Sequence, residues 1–441
     1  MARTDPFPLP AARAGEPSGP DALDLLAVAI AVVMPVLSAL IYPTYVHYVT
    51  PRWLEWTRLH ELPFVAFEMV VCALAARRGL DLRAEIARLP NDVRLASIAL
   101  VAGVWISSLT ISRDLPSSIA MSIATMIHLL FALSVLHLLR SAGARRVEAV
   151  LPVLAFGVGV LALFTAWRVA AAPPAHSLPG GAIEWFAAIP GFISIRHFGA
   201  WTGAIGAGFV VAILFGSKHG RLGWAQAGYL LCATATVWSA TRAAMLAMLV
   251  ATAIVAVALR RVPSRGAILR AGGLTALAFA IAAPLTLGGT QFQLYAAGEY
   301  ATIESASAGR SALWAHTFWR WLESPLLGWG SGSTFWEVHV GWTHTQPHNA
   351  VLQFLISWGL VGAAGALYLL GRAVHRVHRP AMADARLRPL LAVLYALLFQ
   401  SLLEGMLHYP RFIEAIFFLF ALIVCTTERR GGSAAGLTQP G

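Results

Sequence analysis

Charge is scarce in this sequence: Asp, Glu, Lys and Arg together make up 12% of its 441 residues, where a soluble domain carries about 25%. With 58% hydrophobic residues and a mean hydropathy of +0.68, that scarcity excludes an ordinary soluble enzyme and points to an integral membrane protein. Cysteine is almost as rare. Cys72, Cys232 and Cys425 each fall inside an apolar run, so they imply no disulfide framework. No Gly-rich loop precedes a Lys-Ser or Lys-Thr pair, which excludes the common phosphate cradle of nucleotide-binding proteins. No His, Cys and carboxylate set has zinc-ligand spacing; His344 and His348 are four apart, but Pro347 interrupts the helix that would put both on one face. Internal repeats and paired broken helices, the marks of a transporter, are also missing.

What the sequence has in abundance is apolar runs. Scanning for stretches of roughly 17 to 25 residues gives about twelve, at 22–42, 62–77, 94–112, 116–139, 148–170, 199–217, 223–240, 243–260, 270–289, 350–370, 388–403 and 411–426. The reading is therefore an all-α polytopic membrane protein forming a single transmembrane domain over 1–441. The first run is too long for a signal-peptide core and is expected to be retained. The tail 431–441 (GGSAAGLTQPG) reads as disordered. Lys and Arg in short loops stay on the cytoplasmic side, and here alternate loops are basic, with both termini on that side. Nine of the 32 basic residues fall on the outer side: Arg52, Arg58, Arg113, Arg168, Arg196, Arg242, Arg310, Arg320 and Arg411. The net charge of +11 follows from this topology. A nucleic-acid partner would need a contiguous basic face on a soluble domain instead.

Two outer segments are longer than simple connections, 171–198 and 290–349. In the second, Leu313, Trp314, Phe318, Trp321 and Leu322 recur at helical spacing, which suits an amphipathic helix lying in the headgroup region. Ser324-Pro325 and the glycines at 328, 330 and 332 end it. Arginines at the outer edge work against the charge rule, so a functional role is the first hypothesis. Arg242 lies in SATRAAML between two runs with almost no loop, Arg196 in SIRHFG directly before a run, and Arg310 opens the aromatic helix. Together they would form an always-charged donor set suited to phosphate or diphosphate. The competing reading is pairing with Glu184, Glu304, Glu323 or Glu404, or snorkelling to headgroups; that reading is preferred for Arg52, Arg58, Arg113 and Arg320. His348 stands in QPHNAVLQF ahead of a run, and Asn349, one of two asparagines in the chain, occupies the expected N-cap. A neutral imidazole there can take a proton from a hydroxyl. No outer loop carries an Asp-x-Asp pair to hold a divalent ion for a nucleotide sugar, so metal-independent transfer from a lipid-linked donor fits better, with no metal and no cofactor.

The run SATRAAMLAM, the Gly-Arg-x3-Trp start at 309, ESPLLGWG at 323–330 and Pro-His-Asn-x2-Leu-Gln ahead of Gly359-Leu360 resemble the O-antigen ligase and polymerase superfamily over roughly 190–370, and SIRHFG resembles the ligase branch. The resemblance implies a glycosyltransferase of the bacterial inner membrane. It would move a glycan from undecaprenyl diphosphate to a hydroxyl of lipid A-core oligosaccharide, in lipopolysaccharide maturation. The segments 171–198 and 290–349 would be its periplasmic loops. It further implies His348 as general base and Arg196 and Arg310 on the diphosphate, with Arg242 assisting. His197, His344 and Trp314 are additional candidate substrate contacts. An O-antigen polymerase, a protein O-oligosaccharyltransferase (which usually has an added soluble C-terminal region) and a non-enzymatic transporter of the same lipid-linked glycan stand as alternatives.

Overall fold

A computed structural model describes residues 22–38, 40, 62–142, 147–171, 189, 192, 195–216, 222–285, 310–332 and 346–435. Among these residues there is no strand, and fourteen α-helices follow in order. They are α1 (Ala22–Val28, continued as a π-helix through Ala29–Val33), α2 (Leu62–Arg77), α3 (Leu82–Arg88), α4 (Asn91–Thr110), α5 (Leu115–Ala142), α6 (Val150–Ala171) and α7 (Ile195–Phe215), then α8 (Leu222–Trp238), α9 (Arg242–Leu259), α10 (Arg265–Ala282), α11 (Arg310–Leu322), α12 (Ala350–Ala383), α13 (Arg388–Ser401) and α14 (Pro410–Ala435).

Each of the apolar runs contains one helix. Eight of them, α4, α5, α6, α7, α9, α10, α12 and α14, are long and apolar enough to cross a membrane, and the chain is an all-α, multi-pass membrane protein. The remaining four runs hold the shorter α1, α2, α8 and α13. The expected disordered tail is helical as far as Ala435; residues 436–441, most of the segment 171–198, the last four residues of the run 270–289, and 290–309 and 333–345 of the long outer segment lie outside the described residues.

Helix α7 is the hub. Almost all its residues are buried, and it packs against α8, α9 and α13. Small residues make this possible: a Cβ on Gly203 would come within 2.9 Å of Ala244 Cβ on α9, a spacing only glycine permits between helix backbones in a bilayer. Helices α4 and α12 meet in the same way, Gly103 against Gly362.

Helix α12 is broken at Gly359 (φ 60°, ψ −167°), which strands backbone groups at membrane depth unless something else bonds them. The segment after α11 does so. Trp329 N donates to Ile356 O at 2.7 Å and Gly330 N to Ser357 O at 3.0 Å, while Leu360 N donates to Pro325 O at 2.8 Å and Val361 N to Leu326 O at 3.3 Å. Pro325 and the positive-φ Gly328 and Gly330 let 325–330 turn back alongside the break, with Gly328 N donating to Ser324 O at 2.8 Å. Arg320 then lies over the Trp329 ring at 3.6 Å, with Arg113 at 5.3 Å, and Arg320 also pairs with Glu323. Arg320 thus pairs with a local carboxylate, the reading preferred from the sequence, while Arg113 lies over the Trp329 ring.

The charged residues separate by end. Away from the starts of α7, α9, α12 and α14, Arg140 and Arg376 pair with Glu428, and Arg372 with Asp92. Arg196, Arg242 and Arg411, read as outer residues, lie at the starts of α7, α9 and α14, the other end; Arg52 and Arg58 lie outside the described residues.

Candidate active site

Arg196 is the second residue of α7, Arg242 the first of α9 and Arg310 the first of α11, and His348 immediately precedes the N-cap of α12. Each therefore sits where unbonded N–H groups and the positive end of the helix dipole favour an anion. The α8–α9 turn that presents Arg242 is tight: Ala240 has φ 52°, Ser239 and Thr241 hydroxyls bond each other at 2.8 Å, and Thr241 Oγ1 reaches Arg196 O at 3.5 Å. That contact joins the starts of α7 and α9. Gly199 allows it, since a Cβ there would fall 2.1 Å from both Ser239 Oγ and Thr241 Oγ1. Arg196 and Arg242 are both exposed.

His348 has φ 55°, a left-handed conformation that costs a non-glycine residue about 1–2 kcal/mol and persists only when its surroundings impose it. They do so on both sides. Trp314 Nε1 donates to Pro347 O at 2.8 Å, tying α11 to the residue before His348. On the other side, Asn349 Oδ1 caps α12 by accepting from Leu352 N at 3.0 Å, and Asn349 Nδ2 donates to Leu402 O at 3.0 Å. The imidazole keeps 26% of its side-chain surface exposed.

Glu404, in the turn after α13, connects the pieces. Its Oε1 accepts from Arg310 Nη2 at 2.5 Å, and its Oε2 lies 4.0 Å from His348 Nδ1. Gln346, also buried, has its Nε2 3.1 Å from His348 Nδ1, 3.2 Å from Glu404 O and 2.8 Å from Tyr409 Oη. The Tyr409 ring meets the His197 ring edge-on, centroids 4.2 Å apart. A continuous line of contacts thus runs from Arg310 through Glu404, His348, Gln346, Tyr409 and His197 to the start of α7, and through Thr241 to Arg242.

Arg310 and His348 therefore flank one carboxylate, Arg196 and Arg242 begin two helices joined through Thr241, and His197 is a buried ring that joins the two groups. Trp314 is half-buried and anchors the His348 backbone. His344 lies outside the described residues. Reading the sequence did not assign a function to Glu404, Gln346 or Tyr409. Glu404 appeared there only as one of four possible arginine partners, although a carboxylate at the outer end of an apolar run was itself a signal. A further arginine, Arg411 in the first turn of α14, is almost fully buried, 3.4 Å above the Phe192 ring and 5.3 Å from that of Trp201, an arrangement favourable to a desolvated guanidinium. Among the described residues, no three His, Cys, Asp or Glu side chains are grouped so as to hold a metal ion.

The arrangement sets the Arg310 guanidinium and a partly exposed imidazole on either side of Glu404, with exposed Arg196 and Arg242 at the starts of two neighbouring helices. Residues 227–367 match the family model described as O-Antigen ligase. That stretch includes Arg242, Arg310, His348 and the break at Gly359, whereas Arg196 and Glu404 lie beyond its ends. No curated protein matches the chain. Three of the four site residues thus fall within the stretch similar to the O-antigen ligase family, on a multi-pass helical fold.

Proposed function

We propose that the protein transfers a glycan from undecaprenyl diphosphate to a sugar hydroxyl of lipid A-core oligosaccharide, at the periplasmic face of the bacterial inner membrane. The observation that carries this reading is the meeting of Arg310 and His348 at Glu404, at the end of the bundle where α7, α9, α11 and α12 begin.

The diphosphate is bound by guanidiniums, Arg196 and Arg242 from the joined starts of α7 and α9 and Arg310 from the start of α11. Its charge grows as the bond between the sugar C1 and the phosphate oxygen breaks, and preorganised cations stabilise that growth most. His348 takes the proton from the acceptor hydroxyl as that oxygen bonds to C1, which contributes about 10²–10⁴-fold. Attack from the face opposite the leaving diphosphate inverts the anomeric configuration.

The test is reconstitution of the purified protein with undecaprenyl-diphosphate glycan and lipid A-core in the presence of EDTA. Glycan-bearing lipid A-core is the expected product. Longer lipid-linked glycan in its place would mean a polymerase, and movement of the lipid across the bilayer with no new bond would mean a transporter. An EDTA-sensitive reaction would rule out the metal-free step.

A further inference from the structure

We propose that Glu404 is a positioning residue that changes partners during the reaction: it is held by Arg310 until a diphosphate binds, and then orients His348. The inference rests on the function proposed above and concerns how the base is made ready.

The geometry presents one buried carboxylate to two partners and satisfies only one. Glu404 has a side chain only 4% exposed; it is bonded to Arg310 at 2.5 Å, while 4.0 Å to His348 Nδ1 is beyond hydrogen-bonding distance. Meanwhile Gln346 Nε2 has three acceptors within reach of its two hydrogens: Tyr409 Oη at 2.8 Å, the carbonyl of Glu404 at 3.2 Å and His348 Nδ1 at 3.1 Å. An amide nitrogen only donates. A neutral ring whose Nδ1 accepts from Gln346 carries its proton on Nε2, and that nitrogen then has no lone pair for an incoming proton. To act as a base at Nε2 the ring needs its proton on Nδ1, with an acceptor facing it, and Glu404 Oε2 is the acceptor set beside it.

A diphosphate supplies the change. Phosphate oxygens match the guanidinium fork in two places and carry more charge than a carboxylate, so donor binding draws Arg310 away from Glu404. The carboxylate, left without its guanidinium, moves onto Nδ1–H, fixes the tautomer, and stabilises the imidazolium once the acceptor proton has moved to Nε2. A carboxylate behind a histidine base does this in other transferases and hydrolases. The other charged or titratable groups at this end of the elements packed around the pair are Arg196 and His197 of α7, Arg242 of α9, His316 and Arg320 of α11, His408 and Tyr409 before α14, and Arg411 and Glu414 within it.

Rate profiles against pH test the exchange. The limb in kcat reports the donor-bound enzyme and the limb in kcat/KM the free enzyme. In Glu404→Gln, kcat should fall about a hundredfold or more. Its acidic limb should move to lower pH, because the imidazolium loses its stabilising charge. The limb in kcat/KM should move less, since Arg310 neutralises Glu404 in the free enzyme. If Glu404→Gln does not fold, as judged by thermal unfolding in detergent, Glu404→Asp reads the same displacement through its shorter reach. A fall in kcat with no movement of the limb reduces Glu404 to a structural role, and equal movement of both limbs removes the exchange; either overturns the proposal. Full activity in His348→Ala would remove the base itself, whereas an inactive His348→Ala beside an unmoved limb defeats only the role of Glu404.

Discussion

Arg310 is tied to a carboxylate across the bundle: its Nη2 donates to Glu404 Oε1 at 2.5 Å, where the carboxylate is almost wholly buried. Breaking such a pair from one side leaves a buried charge without its partner, which costs about 3–5 kcal/mol. Arg310→Ala should therefore lower the unfolding temperature measurably in detergent and abolish transfer. Arg310→Ala/Glu404→Gln should recover most of that stability and none of the activity, because the buried charge is gone but so is the diphosphate ligand. A double variant no more stable than the single one would show that the pair does not hold this end of the bundle.

Gly359 is required on two independent grounds. Its φ of 60° with ψ of −167° is a conformation essentially confined to glycine, costing another residue about 1–3 kcal/mol, and a Cβ there would fall 2.2 Å from Leu326 C and O. Neither is the tip of a flexible side chain, so the clash moves backbone. Gly359→Ala should displace 325–330 from the break in α12 and destabilise the protein by about 3 kcal/mol or more. The measurement is thermal unfolding, with Gly371→Ala as the control on the same helix, where a Cβ meets nothing within 4 Å.

These two positions also show how far the sequence could be read. The apolar runs located the helices because lipid imposes one dominant rule, that backbone groups bond internally while side chains stay apolar. Asn349 as a cap and Arg196, Arg242 and Arg310 as residues at helix starts followed from local chemistry. The break at Gly359 did not, since Gly359 lies inside an apolar run, and its bonding partners at 325–330 are about thirty residues away along the chain. Pairing was equally obscure. Glu184, Glu304, Glu323 and Glu404 were equivalent as partners for an arginine until folding put Glu404 94 residues from Arg310 in sequence and 2.5 Å away in space. His197 reads as polar beside Arg196, yet its side is buried against Tyr409 and Phe412, a contact between α7 and α14 that no local pattern encodes.

The proposed base has a definite pH signature. Protonated His348 cannot accept the hydroxyl proton, so the neutral form is the active one and the rate rises with pH. An imidazole titrates ordinarily near 6.5. Below its apparent midpoint kcat should fall about tenfold per pH unit, and above it should level off. In His348→Ala the residual rate, lower by about 10²–10⁴-fold, should lose that limb. A limb that survives the substitution unchanged would assign it to another group.

The donor site depends on Gly199, which contacts no substrate in the proposed mechanism. A Cβ at Gly199 would fall 2.1 Å from the hydroxyl oxygens of Ser239 and Thr241, the two side chains that close the α8–α9 turn against the start of α7. Helix α7 is packed on several sides and cannot retreat, so Gly199→Ala should push the turn outward and carry Arg242 away from Arg196. His348 and Arg310 are held from other elements, by Asn349, Trp314 and Glu404, and should keep their positions. The expected result is a rise in KM for the lipid diphosphate donor on the order of tenfold, equivalent to about 1.4 kcal/mol of binding, with a smaller change in kcat. Gly223→Ala at the start of α8, where a Cβ meets nothing within 4 Å, should leave both constants unchanged. If Gly199→Ala leaves KM at the wild-type value in a folded protein, Arg196 and Arg242 do not bind the donor as a pair.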